Sequence, residues 1–307
     1  MIYVRIRGGL GNQLFQYAAA RSYALDINDN LCLDLSGITN EGHNVLALDQ
    51  FNINASSVNN CNIWQKKISK LFSSLSYRIG KKINYNLSYK FDVLFSFVLN
   101  LFGVYTIDNG YMKFKKSITK NKYINGYLQS DRYFDKNKET LIKELTLKNG
   151  LSKENELLAD QMKKNNSVCI HIRRGDFVDI GGIVCTHQYY IEAVKYLKEK
   201  LKDVEFYVFS NDINWVKENI KFPTNVNYID KMNSSYEEIV LMSSCNNFII
   251  SNSTFSWWGQ YLSSNDDKIV IAPDKWFVDG QREDIYQQNW LIMDKNGKFV
   301  KDRGIKC

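Results

Sequence analysis

The sequence predicts an α/β protein with two domains built on parallel sheets, and three observations carry that expectation. Its 307 residues exceed one ordinary domain. The second half alternates short β-branched runs with amphipathic stretches, the pattern of a parallel sheet with helices on both faces. The chain also opens with strand, glycine turn, helix and strand. Hydrophobic residues make up 44%, enough for two cores, while two prolines and no low-complexity run argue against a disordered or fibrous chain.

In chain order, residues 2–6 (I-Y-V-R-I) read as a strand, 8–13 as a turn, 14–25 as a helix with Leu14, Phe15, Ala18 and Leu25 on its apolar face, and 31–35 as a second strand. Asp34 stands about twenty residues beyond Gly8, Gly9 and Gly11, where a dinucleotide site places its ribose-binding acid. The third glycine of that fingerprint is missing, however, and Leu14 holds its place. A tight turn presenting Asn12 and Gln13 to a ligand is the stronger reading. Residues 63–125 carry Lys66, Lys67, Lys70, Arg78, Lys81 and Lys82, then an apolar stretch over 91–107 interrupted by Asp92 and Asn100 and short for a membrane span. Helices capping the first domain are expected there, in preference to an amphipathic surface lying on a membrane. A strand and loop follow over 123–129, and 139–164 is mostly helical and contains the crossing between domains. Strands are then expected at 168–172, 204–210, 247–251 and 269–272, with helices at 189–201, 211–220, 235–244 and 255–262.

The chemistry concentrates at strand ends. The strand at 168–172 runs into Arg173, Arg174, Gly175 and Asp176, and ligands of open α/β sheets sit beyond the carboxyl ends of strands. Guanidinium suits bidentate phosphate recognition and stays charged. An Arg–Asp ion pair and an anion site both fit these residues taken alone. Two further strand ends should converge with this one: Ser210-Asn211-Asp212, and Ser251-Asn252-Ser253-Thr254-Phe255-Ser256 entering a helix. Small hydroxyl residues there are natural caps, and a helix N-terminus attracts phosphate. Together with the arginines, this points to a nucleotide diphosphate. Of the adjacent Trp257 and Trp258, one is expected in the core and the other along the ligand cleft. No Asp-x-Asp metal signature occurs, so arginine is expected to neutralise a departing pyrophosphate without a metal ion.

The six cysteines form no Cys-x-x-Cys pair and read as reduced, buried small hydrophobes, and His171 and His187 stand too far from a cysteine pair to suggest zinc. The N-terminal residues lack a charged leader with an apolar run, so no secretory signal is expected. The net charge of +7, mostly lysine, fits weak attraction to an anionic membrane or to phosphorylated ligands. No nucleic-acid module is recognisable.

Four motifs in order, G-G-L-G-N-Q-L-F-Q at 8–16, H-I-R-R-G-D-F at 171–177, F-S-N-D-I-N-W at 209–215 and S-N-S-T-F-S-W-W-G at 251–259, resemble the α-1,2-fucosyltransferases of glycosyltransferase family 11. Only about residues 60–120 fall outside the likeness. The resemblance implies a GT-B fold: two Rossmann-like doubly wound domains, 1–150 on the acceptor side with a helical insertion near 60–120, and 151–307 binding GDP-fucose. It implies that Arg173 binds the pyrophosphate and acts as the main electrophile, that His171 contacts the nucleotide, and that Ser253, Thr254 and Phe255 hold phosphate and ribose. Glu238 would hydrogen-bond guanine, although the family more often has Asp there. Asn12 would face the fucose or the acceptor. Asp176 is the candidate base, with an orienting partner for Arg173 or Arg174 as its other reading, and Arg174 is taken as structural or secondary. Asn211 replaces a family Asp, and neither it nor Asp212 is given a catalytic role. The implied reaction is inverting, metal-independent transfer of L-fucose from GDP-β-L-fucose to the 2-hydroxyl of a terminal β-galactose on an oligosaccharide or lipid-linked glycan. It would serve bacterial O-antigen synthesis in the cytoplasm, with peripheral contact at the inner face of the plasma membrane as a further expectation. A fucosyltransferase of another linkage, a non-catalytic carbohydrate-binding protein and a nucleotide-dependent oxidoreductase using Asp34 remain as other readings.

Overall fold

The structure, a computed structural model, describes residues 1–83, 85–107, 110–174, 184–230, 233–277 and 283–300. Two compact units divide it: Met1–Lys148 with Arg282–Tyr286, and Asn149–Gln281 with Gln287–Cys307. Each is built on one parallel sheet, so the α/β class with two doubly wound sheets is as expected.

The first unit contains β1 (Ile2–Arg7), α1 (Leu10–Asp26), β2 (Leu31–Gly37), β3 (Ser56–Val58), α2 (Trp64–Lys82), α3 (Tyr85–Leu101), β4 (Val104–Ile107), β5 (Lys122–Gly126) and α4 (Lys138–Glu144). Its sheet order is β3-β2-β1-β5-β4. In β1 the period-two pattern does the sorting: Ile2, Val4 and Ile6 are fully buried while Tyr3, Arg5 and Arg7 are half-buried. Helix α1 starts four residues earlier than expected. Gly8 takes a φ of +77°, and Gly9 at the N-cap lets the chain turn directly into Leu10. Asn12 and Gln13 therefore lie in a helical first turn. The mainly helical stretch expected over 139–164 breaks after α4 and resumes at α5, with Gly150 at a φ of +68° in the connection.

The second unit contains α5 (Lys153–Lys164), β6 (Asn166–Ile172), α6 (His187–Lys200), β7 (Val204–Ser210), α7 (Ile213–Asn219), β8 (Asn227–Tyr228), α8 (Ser235–Ser243), β9 (Asn247–Ile249), α9 (Thr254–Tyr261), β10 (Val270–Pro273) and β11 (Leu291–Met293). Sheet order is β11-β10-β9-β6-β7-β8. β6 is central and buried from Ser167 onward, as a parallel strand covered on both faces must be. Val168, Ile170, Ile172, Tyr189, Leu197, Val208 and Ile249 make its core. The Tyr189 hydroxyl donates to the carbonyls of Ile250 and Ile271, tying α6 to the ends of two strands.

Three expectations are corrected. Trp257 and Trp258 are both fully buried, edge to face at 5.2 Å, because Tyr261 and Trp290 pack around them, so neither lines a cleft. Gln13 faces inward. Its amide donates to the Gly8 and Val45 carbonyls and its oxygen accepts from Ala47, which pins the following loop. Asp34, the acid of the oxidoreductase reading, is fully buried, 2.7 Å from Lys66 Nζ and 2.6 Å from the Tyr123 hydroxyl. That network holds its carboxyl below the usual range against the opposing effect of burial, and leaves none of it for a ribose. Four short strands, β3, β4, β8 and β11, lie where the sequence reading places none. Five described cysteines are free and buried, as expected.

Candidate functional site

The second sheet reverses direction at β6. The chain runs outward through β7 and β8, then returns to the other flank with β9. That reversal is a topological switch point, the place where the helices on either side diverge and leave a crevice beyond the strand ends. Arg173 follows the last residue of β6, and Ser251 to Phe255 follow β9. The sequence therefore delivers both expected motifs to one crevice.

Two contacts join them. His171, 3% exposed, shares a 2.9 Å hydrogen bond between Nδ1 and the Ser251 hydroxyl, directly across the switch point. Its ring lies 5.8 Å from that of Phe255. Burial, reinforced by the Arg173 charge, drives the imidazole pKa down to about 3, so His171 is neutral at any working pH. Ser253 caps α9, its hydroxyl accepting from the Phe255 amide at 3.3 Å. The N-terminus of α9, whose dipole favours an anion, thus follows the strand end that His171 contacts.

Glu238, half-buried in the first turn of α8, completes the group. Burial lifts its carboxyl to about 7, with Arg173 pulling the other way. The same guanidinium thus biases both His171 and Glu238. The crevice holds a permanent cation, a neutral imidazole and a carboxyl poised near neutrality, a set suited to an anionic nucleotide. Asp176 lies outside the described residues.

Arg174 is held differently. Its guanidinium carbon lies 3.2 Å from the centre of the Trp215 ring, its Nε is 3.5 Å from Asp212, and its backbone amide donates to Asn211. Asp212 also caps α7. Of the two adjacent arginines, Arg174 is spent on the scaffold.

Asn12 belongs to the first unit, where the strand order again reverses, between β1 and β5. The Gln129 amide donates to Asn12 Oδ1 at 2.9 Å, and the Arg7 guanidinium lies 4.4 Å from the centre of the Tyr127 ring. Gly8 is required here: a Cβ at that position would meet Asn12 Nδ2 at 2.9 Å. Sequence reasoning missed Gln129, Tyr127 and Ser251. Ser251 stood inside a quoted motif, two residues ahead of the capping Ser253.

The two switch points define an open-sheet α/β protein with a crevice at each reversal of strand order. The chain belongs to glycosyl transferase family 11, whose model matches residues 1–294, and it is a glycosyltransferase. It is similar to an alpha-1,2-colitosyltransferase of Escherichia coli, 33% identical over 96% of this chain and 99% of that one. It is likewise similar to the O-antigen biosynthesis glycosyltransferase WbnK of Escherichia coli, 30% identical over 94% and 99%. A galactoside alpha-(1,2)-fucosyltransferase 1 of Saimiri boliviensis boliviensis is 26% identical over 50% of this chain and 47% of its own.

Proposed function

We propose that the chain transfers L-fucose from GDP-β-L-fucose to the 2-hydroxyl of a terminal β-galactose, inverting the anomeric centre to an α linkage, in assembly of a bacterial surface polysaccharide. The observation that carries this is the convergence of Arg173, His171, Glu238 and the N-terminus of α9 at one switch point. The acceptor hydroxyl attacks the fucosyl C1, the C1–O bond to phosphate breaks, and GDP departs with the bonding pair. Arg173 and the α9 N-terminus stabilise the charge growing on the diphosphate, so no metal is needed. Glu238 reads the guanine edge, Ser253 and Thr254 hold phosphate, and Phe255 packs on the ribose. Asn12 positions the acceptor or the sugar, and Asp176 takes the hydroxyl proton. The reaction belongs in the cytoplasm, where nucleotide sugars are made. Among the described residues no helix is long and apolar enough to cross a membrane.

The colitosyltransferase likeness supports a second reading, with GDP-colitose as donor. Colitose is fucose without its 3-hydroxyl, and a site built to bond that hydroxyl rejects the deoxy sugar far more strongly than an apolar site rejects the extra hydroxyl. Equal amounts of both donors offered with galactose-ended disaccharides decide the matter. Fucosylated product with the linkage read by NMR is expected, and predominant colitosyl product overturns the donor assignment. A linkage to any position other than the 2-hydroxyl overturns the acceptor assignment.

A further inference from the structure

Helices α2 and α3 are built inside out. They pack on one another, and both reach β4. What they turn inward is largely polar: Gln65, Lys66, Ser69 and Ser76 of α2, and Ser88, Asp92 and Asn100 of α3, are all buried. The Ser76 and Ser88 hydroxyls are 2.8 Å apart, and Ser69 accepts from Thr106 at 3.2 Å. Phe72, Phe91 and Phe95 cluster between the helices. A helix on the surface of a water-soluble domain sorts its residues the opposite way.

The outward faces carry the apolar residues. Trp64, Leu71 and Leu75 form a stripe on α2, and Leu87, Leu94, Phe97, Val98 and Leu101 form one on α3. Leu94 is 72% exposed and Phe97 63%. Among them stand Lys67, Lys70, Arg78, Lys81, Lys82 and Lys90, all exposed, and Lys115 Nζ lies 5.2 Å from the centre of the Phe97 ring. The one acid between residues 64 and 101, Asp92, is buried.

We infer that the outward face of α2 and α3 rests on an anionic phospholipid surface. Its leucines, valine and aromatic rings enter the boundary of the acyl chains, and its lysines lie among the headgroups. Apolar burial and lysine–headgroup attraction act together in this arrangement, as in interfacial helices. A second copy of the chain is a poorer occupant, because a two-fold contact would set this cationic face against itself. The inference assumes nothing about the sugar donor.

The test uses the full chain with vesicles of phosphatidylcholine alone or with about 30 mol% phosphatidylglycerol, an anionic surface of the required kind. Sedimentation with the anionic vesicles and not the neutral ones is expected. Lys81→Gln/Lys82→Gln should weaken partitioning roughly thirtyfold, at the worth of two headgroup lysines. Leu94→Ser/Phe97→Ser should weaken it at least about tenfold through lost apolar burial. Unchanged circular dichroism and GDP affinity in both variants would show them folded. Absent sedimentation with anionic vesicles, or variants that sediment like the parent, overturns the inference. So does a dimer that Leu94→Ser/Phe97→Ser dissociates in place of vesicle binding. Loss of GDP binding in every protein, the parent included, overturns the donor reading alone.

Discussion

Arg173 is the residue on which the proposed chemistry turns, because the same guanidinium acts on both His171 and Glu238. Arg173→Ala should lower turnover at least ~100-fold, the scale of losing one donor to a developing oxyanion. Arg173→Lys should recover only part of that, since an ammonium cannot present a planar fork. Near-normal turnover in a folded Arg173→Ala protein overturns the assignment. Glu238 sets a pH dependence of definite sign. Burial pushes its carboxyl up to about 7, and the proposed bond to guanine needs the ionised form. GDP affinity should therefore fall about tenfold between about pH 8 and 6, and Glu238→Gln should flatten that slope, as isothermal calorimetry would record. Stability of the free protein runs the other way for this group. A carboxyl raised above its unfolded value keeps its proton longer when folded, so its effect favours folding as pH falls through 7 toward the ordinary carboxylate range. His171 opposes it. Depressed to about 3, it stays neutral while the unfolded imidazole gains a proton, so its contribution is lost as pH falls below about 6.5.

At the scale of elements, the glycine turn and α1 act as one unit. Gly8 occupies the left-handed region and leaves no room for a Cβ beside Asn12. Gly8→Ala should cost roughly 1–2 kcal/mol of stability and displace Asn12 from Gln129. The acceptor KM should rise while GDP affinity stays level, and Asn12→Ala should show the same split. Equal losses in both parameters would remove Asn12 from the acceptor role. The second element with a double duty is the α2–α3 pair, which covers β4 with serines and turns leucine outward.

At the scale of the whole molecule, GDP should stabilise the protein by about 2.7 kcal/mol at a hundred times its dissociation constant. Hydrogen-exchange protection should concentrate around residues 170–174 and 251–256, and protection confined to residues 8–13 instead would place the nucleotide at the wrong sheet. Turnover should persist in excess EDTA, and loss restored by manganese would show that a metal, not Arg173 alone, draws off the diphosphate.

The sequence by itself determined the α/β class, the order of the long strands and helices, and the motifs that meet at the second switch point. Those signals are local: β-branched runs, capping serines and arginines at a strand end are each set within a few residues. Tertiary structure decided that Trp215 and Asp212 hold Arg174, that both tryptophans and Gln13 turn inward, that Asp34 is consumed by Lys66 and Tyr123, and that α2 and α3 expose their apolar sides. These outcomes depend on partners between about thirty and ninety residues away in the chain. Burial and pairing at that range follow from how sheets and helices stack, which no local pattern encodes.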